Sequence, residues 1–444
     1  MKGRQVTMGL VDQFFCKAQN FLPLFHRPRF YERYVSKAQN DADYDAMALD
    51  AALILNGVLA LAARYSTSPY FSGAEPACRG DPFGRKAKEI YDASVSRLET
   101  PSLPFLQGCV LLGFYLLSSG SGIQGWLVCG TCSRIAYEMG LDTLDQQPAS
   151  SSGGQTATDR AWTIKEELRR AWWCVWELEV VASTIYRRPH TVPKVRAQVM
   201  LPVSDEAWWA DEEVPSAIIP ASPLRAWQAL RDCANQSERA WFLVGNYLIY
   251  CAHDMLQQSQ YTPQDIQEIE TAITGFTQLL PVQFRASSGI VFDTKCFGKA
   301  NWIVSTLLML QGSRIYVKLL KQCEASDPCA DHHNGFLASL PTPVPYEPAL
   351  LDFSCCAQGI MDIVHEWPPE FIGMNTPFIA TLLLGPAKIN LRVLQHRESI
   401  DFRKGVASSV ASSQKAILKL AVEKVARYWK FGSILLDEFR LSDP

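Results

Sequence analysis

At 444 residues, with 48% hydrophobic and 20% charged side chains, the chain has an ordinary soluble-protein composition, with room for two or three domains or one continuous helical body. Its 42 basic and 45 acidic residues leave a net charge of −3, which gives no electrostatic case for nucleic-acid binding, and no run of Lys and Arg is long enough to predict a local basic patch. Thirteen cysteines without framework spacing, no apolar signal core in Met1–Leu10, and no apolar run near the ~18 residues of a membrane span point to a soluble intracellular protein with reduced thiols.

In chain order, residues 10–35 read as two helices broken at Pro23 and Pro28, followed by the acidic run Asp41, Asp43 and Asp45. An Ala/Leu-rich helix is expected over 46–65, and after a Gly/Pro loop at 71–83 another over 84–98. Residues 105–117 form an apolar helix. Residues 126–139 form the next, with Val128, Cys132, Ile135 and Met139 on one face, and Gly140 supplies its left-handed cap beside Leu141. Residues 145–161, rich in Ser, Gly and Thr, read as a flexible surface loop.

The central helix is expected from Thr163, where Thr163 and Glu166 have capping-box spacing and Glu166 and Glu167 occupy the first turn. Glu166 and Arg170 form an i,i+4 pair. Beyond Arg170 the helix is apolar nearly all round: Leu168, Trp172, Val175 and Trp176 make one stripe, and Ala171, Leu178, Ala182 and Ile185 another. Such a helix belongs inside a large helical protein. Pro189 ends it. Residues 193–223 are Pro-rich and irregular, with Trp208 and Trp209 as anchors. Helices are then expected over 224–257, over 263–280 (Thr262 as cap, Pro263 at the first position) and over 296–320. A Pro-dense loop at 327–348 precedes helices over 351–365, over 377–397 with a kink at Gly385-Pro386, and over 406–439. No strand alternation and no internal repeat occur, so the fold class is all-α, a large irregular helical bundle.

The central helix also carries a resemblance. Glu167-x-Arg169-Arg170-x-Trp172-Trp173, then Glu179, Ser183 and Arg188-Pro189, resembles the fungal-specific transcription factor regulatory domain, the middle homology region of binuclear zinc-cluster (Zn(2)-C6 type) factors. Phe14, Phe15, Pro23, His26, Arg27, Pro28 and Phe30 resemble the start of that domain. Trp126, Gly130, Arg134, Ala136 and Gly140-Leu141 resemble its preceding helix, with Cys132 in place of the usual Ala. Glu179 stands where the family has Asp, and Arg187 where it has Gly. The resemblance is clearest over 11–202, with a looser helical pattern over 224–440, and it implies one regulatory domain spanning 1–444. The nine motif residues Glu167, Arg169, Arg170, Trp172, Trp173, Glu179, Ser183, Arg188 and Pro189 are read as structural core, not as catalytic, cofactor or metal sites.

Other patterns have plainer explanations. Gly120-x-Gly122-x-x-Gly125 has the dinucleotide fingerprint with Asp142 downstream, but the flanking strands are missing, so a turn between packed helices is preferred. Cys129 and Cys132 form a CxxC within a packed helix, and read as buried thiols. Cys323, Cys329, His332 and His333 share one polar loop, but nothing in their spacing closes a tetrahedral site. The run from Asp41 to Asp45 lacks the Gly and terminal Glu of a calcium loop, and no facing carboxylate cluster completes a cyclase-type site. Arg169 and Arg170, beside Glu166 and Glu167, are expected to make internal ion pairs.

The family's DNA-reading module is a compact basic block with six cysteines, and no such block is visible in this sequence. The expectation is therefore a nuclear transcription regulator of RNA polymerase II genes, in a metabolic or secondary-metabolite pathway, represented by its regulatory domain. Zinc and DNA contact would belong to the missing module, so no cofactor is expected here. The resemblance implies protein partners from the transcription machinery or a related regulator, a possible homodimer, a small-molecule effector and no membrane. Two alternatives stand beside it: a partner or dominant-negative that never binds DNA, and an α-helical cyclase-type enzyme.

Overall fold

The computed structural model describes residues 4–36, 46–120, 123–146, 155–186, 188, 190–191, 197–257, 261–285, 289–325, 353–385 and 405–441. Among these residues every regular element is helical, and the one β-bridge, Met200 with Ile218, is isolated. The all-α class expected from periodicity is the class observed.

Helix α1 (Arg4–Cys16) turns Leu10, Val11, Phe14 and Phe15 into the core. Residues 21–26 follow as an irregular segment, and here the sequence reading needs correction. Pro28 opens the short helix α2 (Arg27–Phe30) instead of breaking one, with His26 as cap accepting the Arg29 N–H at 3.4 Å. A proline costs nothing in a first turn, where its missing N–H would have had no helical partner.

Helices α3 (Leu49–Ala62), α4 (Asp81–Val95), α5 (Leu103–Ser118) and α6 (Ile123–Glu138) pack on one another in turn. At the crossing of α3 and α5, a Cβ on Gly57 would lie 2.7 Å from Leu111 Cβ and one on Gly108 2.6 Å from Leu53 Cγ, so only glycine lets the two backbones approach this closely. Gly140 caps α6 at φ +66, as its position after Met139 required, and Leu141 is buried beside it. Gly120 ends α5 and Gly125 packs on Leu117, so the described part of the glycine-rich run joins two helices. Cys129 and Cys132 are buried on α6, where burial pushes the Cys129 thiol well up in pKa and a hydrogen bond with Cys109, together with burial, does the same for Cys132.

Helix α7 (Gln155–Tyr186) lies across α5 and α6 and is the longest among the described residues. It begins before Thr163, so the expected capping box does not form. Thr163 instead hydrogen-bonds Asp211, and Trp162 packs with Val203 and Trp208. These remote contacts carry the helix back through 155–161, which had read as loop; 147–154 lie outside the described residues.

The expected helix over 224–257 is divided. After α8 (Asp205–Trp209) and α9 (Pro223–Ala226) the chain turns, because the Asn235 amide donates to the Pro202 carbonyl (3.0 Å) and Ser216 Oγ (2.9 Å). Helix α10 (Glu238–Gln257) starts beyond Ser237, whose hydroxyl accepts the Ala240 N–H. Helix α11 (Pro263–Leu279) has the Thr262 cap with Pro263 in its first turn, reinforced by a reciprocal bond with Asp265.

Helix α12 (Phe297–Ala325) corrects the apolar lengths read from sequence. Its stretch Phe297–Lys321 is long and apolar enough, by length and composition, to cross a membrane. Yet 67% of its 18-residue apolar window is buried within the protein, and the helix packs against α10, α11 and α13 (Ser354–His365). The C-terminal third continues with α14 (Pro369–Ile372), a helical turn at 380–385, α15 (Gly405–Ala426) and α16 (Lys430–Leu441). The single helix expected over 406–439 breaks before Lys430, where Trp429 is buried against Phe21, Phe114 and Tyr65 with the Arg64 guanidinium 3.7 Å from its ring. Asp41, Asp43, Asp45, Cys329, His332, His333, the loop at 327–348 and the expected kink residue Pro386 lie outside the described residues, as does the side chain of Cys323.

Candidate functional site: the central helix and its cavity

The polar residues of α7 are more deeply buried than a capping role would place them. Glu166 has a fully buried side chain, accepting from Arg170 Nε (3.2 Å), Arg169 Nη1 (3.5 Å) and the Val203 N–H (2.9 Å). Arg170, 1% exposed, donates to Asp205 and to the carbonyls of Val203 (2.6 Å) and Pro23 (3.3 Å), and its guanidinium lies over Trp208 at 4.2 Å. Burial raises the Glu166 carboxyl in pKa, and the two arginines beside it oppose that rise. The internal pairing expected for Arg169 and Arg170 is what forms.

Arg169 holds Asp145 through both carboxylate oxygens, at 2.9 and 2.7 Å. Asp145 also takes Lys165 Nζ (2.8 Å) and the Met200 N–H (2.8 Å). Burial alone would raise its carboxyl, but these donors hold it at about 2. A carboxyl depressed on folding stabilises the native state above its unfolded pKa and loses that contribution as pH falls through the folded value. Against an ordinary value of ~3.9, the expected contribution is about 2.5 kcal/mol at neutral pH, lost between about pH 4 and pH 2. Urea melts of Asp145→Asn should therefore lack this part of the acid limb; an unchanged limb would show that Asp145 is not so paired.

Glu167 accepts from the Gln107 amide (2.9 Å), fixing α7 to α5, and Trp173 Nε1 donates to the Met200 carbonyl (2.9 Å). One end of the motif thus fastens residues 197–211 and the N-terminal segment to α7. At the other end Glu179 Oε1 accepts from Ser183 Oγ (3.1 Å), the Thr191 N–H (3.0 Å) and Thr191 Oγ1 (2.7 Å). Arg188 is exposed, its guanidinium 5.9 Å from the Trp126 ring, while Pro189 and Arg187 lie outside the described residues. The eight motif residues that are described therefore do not converge on one site: Glu167, Arg169, Arg170 and Trp173 bind at one end of α7, and Glu179 with Ser183 at the other.

A cavity of about 970 Å³, counted to its open mouth, runs beside α7 between α10, α12 and residues 376–382. Cys174, Glu177, Leu178, Val181, Thr184 and Ile185 face it from α7, a stripe at helical spacing. Phe242, Asn246, Ile249, Tyr250 and His253 face it from α10. Glu177 is held there by both Arg239 guanidinium nitrogens, and Arg239 itself lies over Trp302 at 4.5 Å. Burial pushes the Cys174 thiol up to about 12, and burial with the nearby His190 lowers His253 to about 4, so both are neutral at pH 7. No group of three His, Cys, Asp or Glu residues placed to hold a metal ion occurs among the described residues.

The sequence reading missed Glu177, Arg239, Asn246 and His253. The available signal was polarity out of place: Arg239, Asn246 and His253 interrupt an otherwise apolar run on α10. Such a residue must find a partner inside or face a cavity.

The chain matches the family described as the fungal specific transcription factor domain over residues 11–275, more than half its length, and belongs to that family. The Zn(2)-C6 fungal-type transcription factor FTF1c of Fusarium oxysporum f. sp. lycopersici is 26% identical over 198 residues, 44% of this chain and 20% of that protein. FTF2 of the same fungus is 26% identical over 181 residues, 40% of this chain and 15% of that protein. The tropolone cluster transcription factor tropK of Talaromyces stipitatus is 31% identical over 83 residues, 19% of this chain and 14% of that protein. The chain spans about a fifth or less of the length of these curated relatives. No solved structure matches the chain.

Proposed function

We propose that this chain is the effector-responsive regulatory body of a nuclear transcription regulator acting on RNA polymerase II genes. The observation that carries the reading is the family match over 11–275, whose motif residues Glu167, Arg169, Arg170 and Trp173 fasten remote segments onto α7 directly beside an open cavity. Occupancy of that cavity is then the means by which a small molecule changes the packing of α7, and with it the surface offered to protein partners in the transcription machinery or to a related regulator. The similarity to the tropolone cluster transcription factor of Talaromyces stipitatus supports a secondary-metabolite pathway as the setting.

The chain is read as a binding body with no reaction and no cofactor of its own. The carboxylate at the cavity wall, Glu177, is already neutralised by Arg239, whereas a cyclase-type reaction calls for carboxylates left free to hold metal or move a proton. DNA contact and zinc belong, on this reading, to a separate cluster module. The purified chain should accordingly give no sequence-selective complex in a mobility-shift titration against pooled promoter fragments at physiological salt. Residual binding should be indifferent to sequence and lost as salt rises, as counterion release requires. Enrichment of one motif at nanomolar protein would show that the chain reads DNA by itself.

A further inference from the structure

We infer that the cavity beside α7 selects an uncharged, ring-bearing apolar molecule that hydrogen-bonds the Asn246 carboxamide through a carbonyl or hydroxyl group. The inference rests on the reading of the cavity as an effector site and adds the chemical class of the effector.

Asn246 is the informative residue. It lies on α10 one turn beyond Phe242, lines the cavity, and is 4% exposed. Its carboxamide makes no hydrogen bond among the described residues, although most buried polar groups are paired. The carboxamide therefore opens to the cavity, where a bound carbonyl or hydroxyl can meet it. Thr184, Thr376 and Thr381 and the phenols of Tyr250 and Tyr316 add hydroxyl-bearing side chains to the walls, and most of the remaining lining is apolar, including Phe21, Phe114, Leu178, Val181, Trp302 and Phe378. Aromatic and branched walls with a few placed polar groups define a site for a rigid ring system.

Charge sets the exclusion. Glu177 and Arg239 neutralise each other through two hydrogen bonds at the cavity edge, and His253 is neutral because burial disfavours its cation. A carboxylate ligand would be desolvated with no free cation among the described lining residues to meet it, and it would face Glu177. An ammonium ligand would have to displace Arg239. Either charge loses its hydration without compensation.

The test uses the full chain and three naphthalenes of nearly equal size: 2-acetylnaphthalene, 2-ethylnaphthalene and 2-naphthoate. Calorimetric titration should show one site per chain that binds the ketone about tenfold more tightly than the hydrocarbon, the scale of one net hydrogen bond. The naphthoate should bind at least about tenfold more weakly than the ketone. Asn246→Leu should bring the ketone to the level of the hydrocarbon while leaving the hydrocarbon unchanged, and Val181→Phe, which fills the cavity, should weaken both. Circular dichroism verifies that each variant is folded; if Asn246→Leu is not, Asn246→Ala gives the same comparison with no added bulk. If no probe binds up to its solubility limit, or if Val181→Phe leaves binding intact, the cavity is not a ligand site and both readings fall. If the naphthoate binds as tightly as the ketone and Val181→Phe weakens it, the effector cavity stands and the neutral class is wrong. Ketone binding that Asn246→Leu leaves unchanged would remove Asn246 from recognition and overturn the inference.

Discussion

Replacing Arg170 by alanine should destabilise the chain by about 3–5 kcal/mol in urea unfolding, among the largest single effects expected in this fold. The magnitude comes from what the truncation leaves behind. Glu166 would remain in the interior with its side chain fully buried, and the carbonyls of Val203 and Pro23 would lose a charged donor. Breaking one side of a buried pair costs more than the pair contributes, because the remaining charge has no water to return to. Arg170→Lys should recover little, since one ammonium group cannot reproduce a planar fork that reaches Glu166, Asp205 and Val203 while stacking on Trp208. A loss below about 1 kcal/mol, the scale of a surface pair, would mean that water reaches this network.

Trp172→Ala should cost about 3–5 kcal/mol, the usual price of emptying a buried large aromatic site. Trp172 is 1% exposed, and its ring meets Tyr137 edge-on at 5.7 Å. Its indole N–H is buried without a hydrogen-bond partner among the described residues. Trp172→Phe therefore removes an unpaired donor together with part of the volume, and should cost less than about half of the alanine change. Equal losses for the two variants would mean that the indole N–H is satisfied by water, and a loss below about 0.5 kcal/mol for Trp172→Ala would place the residue outside the core.

What could be read from the sequence was local. Helical periodicity located the apolar helices, Gly140 announced its own left-handed cap, and Thr262-Pro263 announced a helix start, because each of these needs only neighbours within a turn. What failed depended on residues far along the chain. Thr163 and Glu166 have capping-box spacing, yet Asp211 and Val203 claim them. Asn235 breaks an otherwise helical stretch by binding the Pro202 carbonyl, and Trp429 ends a helix by entering an aromatic cluster built from Phe21 and Phe114. The motif was legible as architecture, and the internal pairing of Arg169 and Arg170 followed from the carboxylates beside them. The cavity was not legible. Its wall on α7, from Cys174 to Ile185, has the spacing and apolarity of a core stripe, and sequence does not say whether such a stripe meets a neighbour or a void.

The central claim is that this helical body controls transcription, and the most direct measurement fuses residues 1–444 to an unrelated DNA-binding module upstream of a reporter gene in a fungal cell. The fusion should change reporter output by several-fold relative to the module alone, and a folded cavity-filling Val181→Phe fusion at matched abundance should no longer respond to conditions that shift the parent. Reporter output indistinguishable from the bare module under every growth condition, with the fusion shown to be folded and nuclear, would contradict the account.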